Sequence, residues 1–447
     1  MDRARFGMAL RARRSGSFMP QTGTEARRVL VVSPHFPPTD AVDMHRVRMT
    51  VGHYRQHGWE PVVLCVRPQD AGRLIDERLV RTVPEDVEVV RVAAPPPGPG
   101  LRAVGLRAWR PLMAAGARVL AGRRFDLVFI STTAFPAMAL GRVWKRRFGV
   151  PFVLDFQDPW ATFPSSAEAR PGLRHGLMRA LHRLGEGWTL PAADGLMAVS
   201  QTYVDLLQTA YPVLRDRPSL VSPFGFSQQD FAVAKELGRP LPLAWKAPGS
   251  AACLFAGVVA PGLERSLLAL FRIVARGRVL RPILFEQLGL AFVGTGYASQ
   301  GNRSVAGRLA AEAGIADLVV EHPDRAPLLD VLRAMGEADA LLLLGSDDHG
   351  YTPSKTNQTL AAGRPVLCAA PARSPVAAAV AGLESVLSLD ADAPLTDEAV
   401  IAWADRLEPL LAGKTSTAAA IDRAASFEAA ACAARDCALF DRVSDGR

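Results

Sequence analysis

Cysteine is scarce in this chain of 447 residues, and its five cysteines are scattered. Because they are odd in number and lack the paired spacing of a tetrahedral zinc site, they predict neither a disulfide framework nor a structural metal. The five positions are Cys65, Cys253, Cys368, Cys432 and Cys437. This usage favours a reducing cytoplasm.

Long apolar runs are missing as well. No stretch reaches the roughly 18 consecutive apolar residues of a membrane-spanning helix, and the apolar run within residues 1–27 is too short for a secretory signal. We therefore expect a cytoplasmic protein in which residues 1–27 form a disordered basic arm, or lie upstream of a true start at Met19. A hydrophobic content of 49% with 21% charged residues predicts a folded chain beyond that arm.

Acidic residues are comparatively rare in the first half of the chain. Residues 1–230 carry 31 basic and 20 acidic side chains, a net charge of +11, whereas residues 231–447 carry 21 and 24, a net charge of −3. Arginines lie among apolar residues in two predicted helices, 101–124 and 170–183. These helices are candidates for contact with an anionic membrane, and the alternative is that their arginines simply solvate helices of the core.

Short apolar runs alternate with helical patterns almost throughout, which is typical of βαβ units and parallel sheets. We predict an α/β fold of two doubly wound Rossmann-like domains facing a central cleft, because open parallel sheets bind ligands at the carboxyl ends of their strands. The predicted units are an N-terminal domain at 28–230, a linker at 231–250, a C-terminal domain at 251–415, and a final helix at 416–447 that packs back on the N-terminal domain. The predicted strands are 29–33, 61–66, 87–92, 126–130, 151–155, 195–199, 252–256, 290–294, 318–321, 340–344 and 365–368.

The strand at 340–344 runs into a helix start at Thr352, Pro353 and Ser354. Thr352 as N-cap and Pro353 at the first helical position leave backbone N–H groups that suit a phosphate. Lys355, predicted in the first turn, opposes the helix dipole unless an anion compensates it. This segment is the first candidate binding site.

Several segments, in this order, resemble the family 4-like glycosyltransferases of the GT-B fold. The run 353–366 is similar to their nucleotide-sugar segment, and 194–200 with 221–226 is similar to their VS strand and later turn. Residues 153–160 are similar to the DFRDPW motif of a bacterial branch, with Gln157 in place of arginine. Relatives commonly carry glutamates where this chain has Gly350 and Gln358.

The resemblance implies a nucleotide-sugar co-substrate, no cofactor, and transfer without a bound metal. The implied catalytic residues are Asp158, Asp155 and His45. The implied donor-binding residues are Gly257, Arg265, Gly294, Thr295, Gly296, His322, Gly350, Tyr351, Thr352, Pro353, Ser354, Lys355 and Gln358. The implied acceptor-side residues are His35, Arg46, Arg48, Trp160 and Ser200.

The expected function is a retaining glycosyltransferase acting on a glycan, a lipid-linked saccharide or a small natural product, without a nucleic-acid partner. The absent glutamates at positions 350 and 358 keep a second hypothesis open, a non-catalytic binding scaffold on the same fold. A sugar-nucleotide epimerase is a third.

Overall fold

The computed structural model describes residues 26–98, 103–158, 160–162, 173–242, 249–296, 304–347 and 355–446. In chain order the strands are β1 Arg27–Val32, β2 Thr39–Asp40, β3 Trp59–Val66, β4 Leu74–Ile75, β5 Glu88–Val92, β6 Leu127–Ser131, β7 Phe152–Phe156, β8 Gly195–Ala198, β9 Ser219–Val221, β10 Ala251–Ala256, β11 Leu288–Val293, β12 Val319–His322, β13 Ala340–Leu344, β14 Val366–Ala370 and β15 Val386–Asp390.

In chain order the α-helices are α1 His45–Thr50, α2 Pro68–Ala71, α3 Val104–Arg107, α4 Trp109–Gly122, α5 Ala139–Phe148, α6 Leu173–Thr189, α7 Gln201–Ala210, α8 Gln228–Leu237, α9 Glu264–Leu280, α10 Pro282–Phe285, α11 Val305–Ala313, α12 Leu328–Glu337, α13 Thr356–Ala361, α14 Pro375–Val380, α15 Asp397–Leu411, α16 Ala418–Ala425 and α17 Ala429–Asp445. Within these ranges and the rest of the described chain, we find no helix that is both long enough and apolar enough to cross a membrane.

Two parallel sheets confirm the predicted fold class. The first has the strand order β5-β3-β1-β6-β7-β8-β9, and the second has the order β12-β11-β10-β13-β14-β15. In each sheet the strand order reverses beside the first strand, which is the switch point where doubly wound folds bind ligands. The central strands are buried on both faces, as their continuous apolar runs predict.

Residues 42–57 form a succession of three helical segments. A 3₁₀ turn at Val42–Met44 leads into α1, and a second 3₁₀ stretch at Val51–His57 ends at Gly58 with φ of 79°. Glycine adopts this left-handed conformation without a Cβ penalty. The segment therefore ends at Gly58, and α1 within it carries His45, Arg46 and Arg48.

The chain passes between the two sheets twice. α8, which occupies the start of the predicted linker, packs chiefly against α12 of the second sheet. α16 packs against α13, whereas α17 returns to the first sheet. The two passages lie side by side, because the amide of Phe226 donates to the carbonyl of Phe427 at 3.1 Å and Phe226 forms a parallel bridge with Glu428.

α17 is held on the first sheet by aromatic packing. The fully buried ring of Phe440 lies 5.5 Å from those of Tyr54 and Trp59 and 5.1 Å from that of Phe129, centroid to centroid. Arg27, at the start of β1, also forms an ion pair with Asp441 at 3.0 Å. The last helix therefore completes the core of the first sheet.

Truncation of this ring tests that conclusion. Phe440→Ala should lower the free energy of unfolding by about 3–5 kcal/mol, because it removes a large buried side chain and leaves a cavity. Chemical denaturation would measure the loss, with Arg442→Ala on the exposed face of the same helix as the control. Equal losses in the two variants would contradict the role assigned to α17.

Candidate active site

The polar residues of the first sheet converge at its carboxyl edge. Ser131 ends β6, Asp155 and Gln157 lie at the end of β7, and the segment that follows β1 brings His35 and Asp43 over the same edge. Parallel strands place these ends together. All five side chains are buried, so the edge forms a polar layer inside the protein.

Arg46 is the charge at the base of this layer. Its Nε lies 2.9 Å from Asp155 Oδ2, and its terminal nitrogens donate to the hydroxyl and carbonyl of Ser222 at 2.8 and 2.6 Å. The guanidinium also sits over the ring of Phe224, at 5.3 Å from its centroid. Arg46 is therefore held inside the fold rather than presented to an acceptor, and it fixes the position of Asp155.

Asp155 and Asp158 have different surroundings. Asp155 is fully buried, and burial raises its pKa against the opposing effects of Arg46, Ser131 and Gln157. Asp158 is exposed at the cleft, and its pKa is raised by partial desolvation and by the negative charge of Asp43. Of the two predicted catalytic carboxylates, only Asp158 is accessible to a substrate.

Asp43 orients His35. Its Oδ1 lies 2.8 Å from His35 Nδ1, and its Oδ2 accepts from the hydroxyl of Thr132 at 2.9 Å and the amide of Thr133 at 3.2 Å. Burial alone would raise the pKa of Asp43, but the hydrogen bond and charge of His35 and the contacts with Thr132 and Thr133 lower it to about 2. The ionised carboxylate accepts a hydrogen bond from His35 Nδ1, and His35 Nε2 has no hydrogen-bond partner among the described residues.

Gln157 ties the end of β7 to this pair. Its amide nitrogen donates to the carbonyl of Asp43 at 3.0 Å and to Ser131 Oγ at 2.9 Å. A neutral amide suits this position because the neighbouring Arg46 already supplies the positive charge that Asp155 requires. The substitution of glutamine for the arginine of the related motif thus fits the local charge balance.

A second cluster joins the two sheets. Asp40, fully buried in β2, forms an ion pair with Arg325, which follows β12 in the other sheet. His45 Nε2 lies 3.9 Å from the same carboxylate, and Lys355 interacts electrostatically with both Asp40 and Arg325. One carboxylate thus faces two cations and an imidazole.

The protonation states in this cluster follow from burial and like charge. Desolvation and the charges of Arg48, Arg325 and Lys355 lower the pKa of His45 well below its usual value, so this imidazole is neutral at pH 7. Desolvation and Arg325 lower the pKa of Lys355 to about 8 despite Asp40. A bound anion would raise both pKa values again, because it offsets the positive charges of Lys355 and Arg325.

Arg48 is not available to bind such an anion. It forms two hydrogen bonds of 2.6 Å with the carboxylate of Asp230 on α8, and its Nε donates to His45 Nδ1 at 3.4 Å. The predicted acceptor-side Arg48 is therefore neutralised inside the fold. It orients His45, whose Nε2 faces Asp40.

The predicted helix start needs one correction. α13 begins at Thr356 with Lys355 as its N-cap residue, so Lys355 lies before the first turn rather than within it. Gly350, Tyr351, Thr352, Pro353 and Ser354 lie outside the described residues. Gln358 is partly exposed on α13, one turn from Lys355.

The remaining donor candidates surround the carboxyl ends of β10, β11 and β12. Gly257 and Gly294 have positive φ angles of 152° and 71°, and Gly294 and Gly296 donate to the carbonyls of His322 and Pro323 at 2.8 and 3.0 Å. The hydroxyl of Thr295 donates to Glu321, which also accepts from the first amides of α11. These contacts shape one loop cluster at the sheet edge.

Arg265 and Lys355 interact with different residues. Arg265 is exposed on α9 and forms an ion pair with Asp392 at 2.7 Å, whereas Lys355 is repelled by the charge of Arg325. The role of Arg265 in donor binding stays a prediction.

Four residues of these clusters were not among the predicted ones: Asp40, Asp43, Ser222 and Arg325. Each follows or ends a strand, which is the signal that could have identified them.

Two predicted acceptor-side residues are engaged in local contacts. Trp160 stacks on Phe135 at 5.6 Å between centroids, and its indole nitrogen donates to His182 on α6 at 2.8 Å. Ser200 caps α7 by accepting from the amide of Tyr203 at 3.4 Å. Trp160, two residues after Asp158, thus connects the chain that follows β7 to α6.

Within the described part of the chain, no group of three or more histidine, cysteine, aspartate or glutamate side chains is arranged to hold a metal ion. The expectation of transfer without a metal stays a prediction.

Comparison with known proteins gives one family match. A profile for the glycosyl transferase 4-like domain matches residues 45–223, which include α1, β7 and the Ser222 turn. No curated protein gives a significant sequence match.

Solved structures with the same architecture cover nearly the whole chain. A sucrose-phosphate synthase from Thermosynechococcus elongatus has a TM-score of 0.59 at 15% identity, over 94% of this chain and 100% of that one. Anabaena HepE in complex with UDP-glucose has a TM-score of 0.56 at 14% identity, over 92% and 98%. A UDP-forming α,α-trehalose-phosphate synthase from Burkholderia vietnamiensis has a TM-score of 0.54 at 12% identity, over 93% and 97%. At these identities the likeness shows the fold.

Asp436 on α17 provides a test of the polar layer. Burial raises its pKa to about 6, against the attraction of Arg46 and together with the repulsion of Asp155. Because this folded-state pKa exceeds that of an unfolded aspartate, the contribution of Asp436 to the free energy of unfolding is most favourable below pH 4. That contribution is lost as the pH rises through 6. Asp436→Asn should therefore gain stability relative to the wild type between pH 4.5 and 7.5, by up to about 3 kcal/mol.

Thermal unfolding over that pH range would measure the difference. Asp422→Asn, on an exposed position of α16, is the matched control and should follow the wild type. A difference between Asp436→Asn and the wild type that is independent of pH would contradict the raised pKa.

Proposed function

Through residues 45–223 the chain belongs to the glycosyl transferase 4-like family, and from this premise we propose that it transfers a sugar from a nucleotide-sugar donor to an acceptor with retention of anomeric configuration. The observation that carries the proposal is the cluster of Lys355, Arg325 and Asp40 between the two sheets. Two cations against one carboxylate leave a net positive charge, which a diphosphate would neutralise. The UDP and UDP-glucose complexes of a protein with the same fold support a nucleotide-sugar donor.

The donor diphosphate binds against Lys355 and Arg325 in this proposal. Glycosyl transfer breaks the bond between the anomeric carbon and the diphosphate oxygen, so negative charge develops on the leaving diphosphate. Fixed cations stabilise that charge without reorganisation at the moment of reaction. Lys355 is suited to the role because its burial has already removed much of its hydration.

The acceptor approaches from the first sheet. The exposed Asp158 carboxylate hydrogen-bonds an acceptor hydroxyl, and the buried Asp43–His35 pair lies at the same edge of the sheet. In front-face attack the acceptor oxygen bonds to the anomeric carbon while its proton passes to the departing diphosphate oxygen. Retention follows because attack and departure occur on the same face of the sugar.

The buried network assigns different work to Asp155, Arg46 and Gln157. None of them is exposed, so they position the Asp43–His35 pair and the Asp158 segment rather than touch the substrate. His45 is neutral and contributes a hydrogen bond rather than a charge.

The five cysteines are free and buried, which supports a cytoplasmic location for the enzyme.

Nucleotide release from a panel of donors tests the function. We expect release from at least one of the UDP-, GDP-, ADP- and dTDP-sugars in the presence of an acceptor panel, and the same rate with EDTA. Lys355→Ala should lower kcat/KM by about 100-fold or more, because it removes a cation that stabilises the leaving group. Lys414→Ala, at an exposed position of the second domain, should leave it unchanged.

The outcomes separate the alternatives. Donor binding with no release across the panel would contradict transfer and identify a non-catalytic scaffold. Conversion of the donor sugar in the absence of any acceptor would identify an epimerase. Loss of activity with EDTA that is restored by a divalent cation would overturn transfer without a metal.

The pH dependence of donor binding tests the place of Lys355. With a free-state pKa of about 8, the lysine loses its charge as the pH rises above that value, and the affinity for a nucleoside diphosphate should fall by at most roughly tenfold per pH unit. Lys355→Arg should bind with little change between pH 7.5 and 9.5, because arginine stays charged.

Isothermal titration with UDP, GDP, ADP and dTDP would measure these affinities. Lys414→Arg is the control and should keep the wild-type pH profile. A profile that Lys355→Arg leaves unaltered would show that another group titrates.

A further inference from the structure

α6 carries an unusual concentration of exposed apolar side chains. Leu177, Leu181, Leu184 and Trp188 are exposed by 62%, 52%, 70% and 37%, and Met178 lies beside them at 42%. Positions 177, 181, 184 and 188 follow the spacing of three and four residues that aligns side chains on one helix face. An exposed apolar stripe of this length marks an interaction surface.

Among the described residues, the side-chain hydrogen bonds that hold α6 lie toward its C-terminal end. Glu186 is buried and accepts from Thr162 and from the hydroxyl of Tyr211, and His182 accepts from the indole of Trp160. By contrast, every residue from 176 to 181 is exposed. The first described turns of α6 therefore stand clear of the domain.

Basic side chains lie beside one end of the stripe. Arg142 and Arg146 on α5 hold their guanidinium groups 4.7 and 5.8 Å from the centroid of the Trp188 ring, whereas Arg179 and Arg183 lie on the side of α6 away from the stripe. Glu186, the one acidic side chain between residues 176 and 189, is buried and engaged. The exposed surface of this part of α6 is thus apolar and positively charged.

We propose that α6 docks the protein on an anionic lipid bilayer. The stripe enters the boundary between headgroups and acyl chains, where an amphipathic helix buries its apolar face by about 5–10 Å. Arg142 and Arg146, beside Trp188, bind anionic headgroups. Trp188 is placed at the interface, where an amphipathic ring is favoured.

The positive charge beside the stripe favours an anionic bilayer over a second copy of the chain as the binding partner of α6. A two-fold contact through α6 would bring these arginines near their own counterparts, and no exposed acidic side chain described on α6 would compensate them. Like charges held close together are destabilising. An anionic surface turns the same arginines into favourable contacts.

Docking through α6 also gives the site an orientation. Trp160 contacts both α6, through His182, and Phe135 of the first domain, and it lies two residues from Asp158. The acceptor edge of the proposed site is therefore near the docked face. This consequence depends on the proposed function, whereas the docking itself does not.

Vesicle flotation with the full chain tests the proposal. The wild type should float with phosphatidylcholine vesicles containing about 30% phosphatidylglycerol in low salt, and the bound fraction should fall in 500 mM NaCl because salt screens the charges. Leu181→Glu with Leu184→Glu should lower the bound fraction at least tenfold. Val279→Glu with Ile283→Glu, at still more exposed positions of the second domain, introduces the same charge and should bind like the wild type.

Arg142→Gln with Arg146→Gln should weaken binding to the anionic vesicles, because these arginines lie beside Trp188 at the end of the stripe. Circular dichroism and thermal unfolding would show that each variant is folded, and nucleotide release from soluble donors and acceptors would report the proposed chemistry separately. Equal flotation of the wild type and the Leu181/Leu184 variant would overturn the proposal. So would equal binding to pure phosphatidylcholine, or a lipid-free dimer in light scattering that the same variant dissociates.

Discussion

The burial of Arg46 constrains much of the first domain. A guanidinium removed from water requires a counter-charge and hydrogen-bond acceptors, and Asp155 and Ser222 supply them from two different strand ends. From Asp155 the polar contacts continue through Ser131 and Gln157 to the backbone of Asp43. Removal of one partner from such a pair typically costs about 3–5 kcal/mol, because the other charge is left uncompensated. The network therefore keeps the carboxyl edge of the first sheet in one arrangement.

The two domains are held together by apolar and charged contacts. Ala41, Met44 and Leu79 of the first domain pack into a cluster with Leu254, Val293 and Leu332 of the second. Beside it, Arg78 pairs with Asp330 at 2.6 Å, and Asp40 pairs with Arg325. The apolar contacts favour closure without direction, whereas the ion pairs fix the register of the cleft. Burial is the main cause of the lowered pKa of Lys355, Arg325 of the same domain lowers it further, and Asp40 of the other domain opposes the shift.

The sequence predicted the fold well because its central strands are buried on both faces and read as uninterrupted apolar runs. The short β9 and the edge strand β15, whose serine and aspartate interrupt the apolar pattern, lacked that signal. Among the candidate site residues, the sequence predicted Asp158 and Lys355 from strand ends and motif resemblance. Arg46 and Arg48 were predicted on the acceptor side, and the sequence did not show their buried contacts with Ser222 and Asp230, which lie 176 and 182 positions away. Arg325 was missed for the same reason: its partner Asp40 belongs to the other domain.

The paired passages of the chain at Phe226 and at Phe427 have a mechanical consequence. A single tether would let the two halves twist and slide, but two adjacent segments joined by a backbone bridge act as a hinge with one favoured axis. The domain contacts oppose separation of the two halves, because opening the cleft would break the Asp40–Arg325 pair and expose the apolar cluster that both domains share. The paired passages therefore keep the two halves in register on the side where the chain crosses.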